Sequence, residues 1–89
     1  MARVVFAKIL ERHLSCPVTE ADGATVRQVL EHVFRENPKL EGYILDDQGA
    51  LRKHVAIFVD GTMITDRTKL NDPVPTGGEV YVLQSLTGG

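Results

Sequence analysis

The chain of 89 residues holds one cysteine, three histidines and no tryptophan, a sparse supply of side chains for chemistry. A nucleophilic thiol needs a depressed pKa, partial exposure and a neighbouring base. Cys16 lies between Leu14 and Val18 on the apolar side of an alternating stretch, where a cysteine acts as a small core hydrophobe. His13, His32 and His54 are so widely spread that no two have ligand spacing on one element, which removes the common zinc patterns. Asp60-Gly61-Thr62 lacks the alternating acids and distal glutamate of a calcium loop. The adjacent acids Asp46-Asp47 precede Gly49 and read as solvated turn residues. Gly77-Gly78 has neither the Lys-Ser/Thr nor the strand-then-helix setting of a phosphate loop. No catalytic residue, metal ligand or bound cofactor is expected.

What remains is the end of the chain, Leu86-Thr87-Gly88-Gly89. Two glycines leave a backbone without side chains, able to thread a channel too narrow for other residues. The chain opens on Met1 and carries no tag, so Gly89 is expected to be its natural end. Its α-carboxylate, with an ordinary pKa of about 3.3–3.7, is an anion at neutral pH and a poor electrophile. To react it must be activated by another protein, typically as an acyl-adenylate. The chain is then a carried substrate, not an enzyme.

Positioning such an end takes a folded body, and the composition allows one. Apolar residues make up 43% and charged residues 25%, the balance of a soluble globular domain and too hydrophobic for disorder. Length predicts a single domain over residues 1–89. No apolar run approaches the roughly 18–20 residues that span a membrane. A net charge of −2 and five aromatics offer neither the electrostatic footprint nor the stacking surface of a nucleic-acid binder. A lone cysteine cannot staple a secreted fold, and the first residues lack a signal peptide, so a cytoplasmic location is expected.

Residues 3–10 are β-branched and apolar and predict a strand; Leu14, Cys16 and Val18 predict a second, demoted to an edge or bulge by Pro17. Val26, Val29, Leu30, Val33 and Phe34 then recur at helical spacing, with Thr25 and Gln28 as a capping box. Asn37 before Pro38 stops this helix. Residues 39–53 read as an irregular connection with a turn at residues 46–49. Residues 54–59, His-Val-Ala-Ile-Phe-Val, form an apolar run that suits a central strand buried on both faces. Asp60-Gly61 turns it back through Thr62-Met63-Ile64. Residues 79–86 are the last strand. One amphipathic helix needs a sheet to cover, and its place as a crossover predicts parallel pairing between the terminal strands.

In combination, the hairpin, the capped helix, the Val59-Asp60-Gly61 turn, the Gly-Gly-Glu-Val-Tyr-Val entry to the last strand and the Leu-Thr-Gly-Gly end resemble the ThiS/MoaD family of sulfur carriers. The resemblance covers the whole chain and is sharpest over residues 54–89. It implies an α+β, ubiquitin-like β-grasp fold: a mixed sheet covered on one face by a helix, with a flexible Gly-Gly tail. It also implies three partners. A ubiquitin-activating-type adenylyltransferase consumes ATP to adenylate the terminal glycine. A sulfur donor converts the adenylate to a thiocarboxylate, and a biosynthetic acceptor of thiamin, molybdopterin or cysteine type takes the sulfur. Carried over residue by residue, Gly89 is the attachment point and Gly88 and Thr87 form the tail. Leu83 and Leu86 face partner enzymes, joined by Tyr81 if alternation puts it on the outer face. The 39–53 segment is longer than in the most compact thiamin carriers and closer to the molybdopterin or cysteine types, without naming the acceptor. A protein modifier conjugated to lysines through Gly89 shares both fold and tail, and a plain binding module with an incidental diglycine is a third reading.

Overall fold

The computed structural model describes residues 1–6 and 18–84, with only the backbone described for Gln84. Among these residues five strands make one mixed sheet in the order β2-β1-β5-β3-β4. They are β1 (Ala2–Phe6), β2 (Val18–Ala21), β3 (Val55–Val59), β4 (Thr62–Met63) and β5 (Glu79–Gln84), and two helices, α1 (Val26–Glu36) and α2 (Pro38–Ile44), lie between β2 and β3. Among these residues no helix is long and apolar enough to cross a membrane.

The helix stripe does what its spacing dictates: Val26, Val29, Leu30, Val33 and Phe34 are all buried. Thr25 Oγ1 accepts the Gln28 N–H at 3.3 Å. Gln28 Oε1 reaches back to the Ala24 N–H at 2.8 Å, one residue earlier than in the reciprocal capping box. Against the stripe lies the inner face of the sheet, with Ala2, Val4 and Phe6 of β1, Val55 and Ile57 of β3, and Val80 and Val82 of β5 buried. Val59 packs against this core while only partly buried. The expected parallel pairing is between β1 and β5, from Arg3 opposite Glu79 to Phe6 opposite Val82. Asp60 and Gly61, at φ 49° and 85°, make the left-handed two-residue turn from β3 to β4.

Two expectations are corrected. Residues 39–53 are not wholly irregular, because α2 occupies Pro38–Ile44 and buries Leu40 and Ile44. Pro38 ends α1 yet takes the first-turn position of α2, where its missing N–H removes no helical bond. The run at residues 54–59 is not a central strand buried on both faces. β5 is central, β3 lies outside it, and Ala56 and Phe58 of β3 stay partly exposed. The predicted strand extensions and hairpin within residues 7–17, with Leu14, Cys16 and Pro17, lie outside the described residues.

The returning loop is tied by side chains. Asp66 accepts N–H groups from Lys69 at 2.9 Å and Asn71 at 3.1 Å, and Asp72 those of Thr65 at 3.1 Å and Asp66 at 2.8 Å. Arg27 of α1 clasps the loop to the 46–49 turn, donating to the carbonyls of Lys69 and Gly49 at 2.7 Å each. Leu70, at φ 59° and fully buried, is the plug this framework holds.

Candidate functional site

Among the described residues the helices pack on one face of the sheet, and strand alternation gives the other face the odd-numbered residues of β1 and β5. In a half-covered sheet these positions are ordinarily polar. Here they are not. Val18 of β2 stands opposite Val5 of β1, Val5 opposite Tyr81 of β5, Tyr81 opposite Phe58 of β3, and Phe58 opposite Met63 of β4. One register thus lays five apolar or aromatic side chains in a row across all five strands. Leu83 opposite Ala56 begins the next row, toward the C-terminal end of β5. Met63 is 52% exposed, Val18 37% and Tyr81 36%; Val5, Phe58, Ala56 and Leu83 are partly buried by their neighbours. Such a contiguous apolar surface is the mark of an interaction site.

Polar groups border the row at the start of β5. Glu20, Arg3 and Glu79 stand side by side on β2, β1 and β5. The Asp60 carboxylate accepts the Glu79 N–H at 2.8 Å while its N–H donates to the Glu79 carbonyl at 2.9 Å. Asp60 therefore locks the β3–β4 turn to the first residue of the central strand. Gly78 precedes that residue and is buried; a Cβ there would stand 2.9 Å from the Pro75 carbonyl oxygen. This close approach is what the Gly-Gly-Glu-Val entry supplies.

Of the residues singled out from sequence, Tyr81 and Leu83 share the open face, as alternation requires. Leu86, Thr87, Gly88 and Gly89 lie outside the described residues. Sequence reasoning missed Val5, Val18, Phe58 and Met63. For Val5 and Phe58 a signal was present: apolar residues at both parities of the 3–10 and 54–59 runs leave one set without a core to enter. His32 is used locally, its Nδ1 accepting the Asp22 N–H at 3.2 Å and its Nε2 lying 3.7 Å from the Glu36 carboxylate. The Asp46 carboxylate accepts the N–H groups of Gln48 and Ala50 at 2.8 and 3.0 Å, so this acid serves its turn. Among the described residues no group of three or more His, Cys, Asp or Glu side chains could hold a metal ion.

Asp66 and Asp72 are the strongly placed carboxylates. The backbone N–H groups of Lys69 and then Asn71 hold Asp66 below its ordinary pKa of 3.8, outweighing a small opposing effect of burial. The N–H groups of Asp66 and then Thr65 lower Asp72 in the same way. Both stabilise the loop, and neither lies on the open face.

A family model, the ThiS family, matches residues 4–89. The chain belongs to the ThiS family. No curated protein matches it in sequence. Among solved structures, this ThiS-family chain is similar to the Amycolatopsis orientalis BexX/CysO complex, at 20% identity over 100% of both chains and a TM-score of 0.86. Mycobacterium tuberculosis CysO gives 20% identity, coverage of 97% and 100%, and a TM-score of 0.84. SAMP1 from Haloferax volcanii, a small archaeal modifier protein, gives 22%, coverage of 99% and 98%, and 0.80. At these identities the likeness establishes the fold: the mixed sheet and helices are the ubiquitin-like β-grasp.

Proposed function

We propose that this ThiS-family chain is a sulfur carrier whose working group is the Gly89 carboxylate. An adenylyltransferase of the ubiquitin-activating type directs a carboxylate oxygen at the α-phosphorus of ATP, and pyrophosphate leaves. Hydrosulfide released by the donor then attacks the acyl carbon through its sulfur, the bond to the adenylate oxygen breaks, AMP leaves, and loss of the S–H proton to water leaves a thiocarboxylate. That sulfur passes to a biosynthetic acceptor. No side chain of the protein exchanges protons or electrons in these steps, so the chain needs no cofactor of its own; ATP is spent by the partner.

The observation that carries this reading is the apolar row in line with β5, the strand that leads into the diglycine. A body that docks through Val5, Phe58, Tyr81, Leu83 and Met63 delivers the end of its central strand to the same partner. Apolar anchors near an interface centre supply most of the binding energy, while residues 87–89 supply the reacting group.

A second reading, conjugation of Gly89 to lysine amines, is favoured by the likeness to SAMP1, which is named as a modifier protein. Both readings require adenylation, so two measurements are needed. ATP–pyrophosphate exchange with the activating enzyme of the same organism tests the shared step. Deleting Gly88 and Gly89 should abolish it, and exchange that survives the deletion refutes both readings. Intact mass of the protein from native cells then separates them: an oxygen-to-sulfur replacement at Gly89 identifies the carrier, a branched peptide ending in the tail the modifier.

A further inference from the structure

The surroundings of β5 differ in charge between its two ends. At the start of the strand stand Glu20, Glu79 and Asp60, with Arg3 between the first two. At the far end, Val55 pairs with Gln84, so the residues just before Val55 flank the exit of the tail. These are Arg52, Lys53 and His54, a run of basic side chains in a chain of net charge −2. Lys53 is exposed, and Arg52 and His54 are partly buried. With Leu51 and Asp46 they line an open cavity of about 310 Å³.

The turn is rigidly held, which suits a contact point better than a solvated tip. Arg67 donates from Nη2 to the carbonyls of Arg52 and Val55 at 2.7 and 2.8 Å, clamping the first residue of the triplet and the one that follows it. Arg52 Nε donates to the Gly42 carbonyl at 2.8 Å, tying the turn to α2. The acid lining the same cavity, Asp46, is turned onto the N–H groups of Gln48 and Ala50, and the Gly49 carbonyl is drawn to Arg27. Lys53 is left as the outward charge at this end.

We infer that the Arg52-Lys53-His54 turn is a second contact point of the carrier, taking a carboxylate-bearing protein surface of the activating partner beside the channel that receives the tail. This rests on the carrier reading and adds the partner's chemistry to it. The tail's length decides between protein carboxylates and nucleotide phosphates as the acceptor of this charge. Five residues follow Gln84, and drawn out into a channel they span about 17 Å. The adenylation centre then lies well beyond the reach of a lysine beside Val55. The basic turn meets the rim of the channel, and the acidic row at the other end of the face opposes a reversed landing. Complementary charge of this kind governs encounter and orientation more than the final affinity.

The test compares Lys53→Glu with Lys39→Glu, the same change of net charge placed on α2. Each is assayed by ATP–pyrophosphate exchange with the activating enzyme of the same organism, at low salt and near 1 M NaCl. Lys53→Glu should lower kcat/KM about tenfold at low salt with kcat unchanged, and the difference should vanish near 1 M, where screening shortens to about 3 Å. Lys39→Glu should behave as the parent protein. A Lys53→Glu protein matching the parent at low salt, or both variants failing equally, overturns the inference. If Phe58→Glu fails in the same assay while Lys53→Glu does not, the basic contact is wrong and the carrier reading stands. If exchange survives removal of Gly88 and Gly89, the carrier reading falls and the basic contact falls with it.

Discussion

Arg67 and Val55 meet where β4 has already ended: the guanidinium donates to the Val55 carbonyl at 2.8 Å and caps the outer edge of β3. β4 is only two residues long, so without Arg67 this carbonyl would face solvent on an open edge, a template for pairing with another chain. Arg67→Ala should lower stability by about 1–3 kcal/mol, the consequence of leaving acceptors unsatisfied. Urea titration checks the stability, and light scattering near the midpoint checks the exposed edge.

Phe34→Ala should destabilise more, by about 3–5 kcal/mol. The side chain is 7% exposed at the end of the α1 stripe. A domain this small has only a few kcal/mol in hand, so the variant should be largely unfolded at 37 °C by circular dichroism. A cooperative melt like the parent's would contradict the packing.

The open face and the tail should fail differently. Leu83→Glu places a charge in the docking surface, where burial without a partner is strongly unfavourable, so KM for adenylation should rise. Gly89→Ala should leave binding nearly intact and lower kcat. Its methyl group displaces the carboxylate, and a shift of about 1 Å can cost on the order of a hundredfold in rate. Steady-state kinetics and a binding titration separate the two effects.

Acid should loosen the loop that carries Leu70. Asp66 and Asp72 have folded pKa values below the ordinary 3.8, so in the folded protein they hold protons less readily than in the unfolded chain. Their contribution is complete above the ordinary value and is lost as pH falls through 3.8 toward the lower folded values. Stability measured from pH 6 to pH 2.5 should fall across that window, and Asp66→Asn with Asp72→Asn should flatten the fall.

The parts of this fold that were legible in sequence are those set by near neighbours. The stripe from Val26 to Phe34, the Thr25 cap and the Asp60-Gly61 turn each follow from a few adjacent residues. The second helix was hidden because Pro38 reads as a stop, although Leu40 and Ile44, four apart, already marked a buried face. The docking row was hidden for another reason. Tyr81 and Leu83 show alternation within one strand, but Val5, Val18, Phe58 and Met63 join them only through the register between strands, which no single strand carries. The apolar run at residues 54–59 was misplaced as a doubly buried strand because an exposed apolar face has the same composition as a core.

The position of β5 ties the order of synthesis to the order of assembly. It is the last of the five strands to be made, yet it alone joins the β1–β2 pair to the β3–β4 pair. A nascent chain that stops short of Glu79 holds two separate strand pairs and two helices with no continuous sheet to cover. The sheet can close only after the ribosome has released the strand that precedes the diglycine. A product terminated before Glu79 would therefore lack the completed sheet and its apolar row as well as the diglycine.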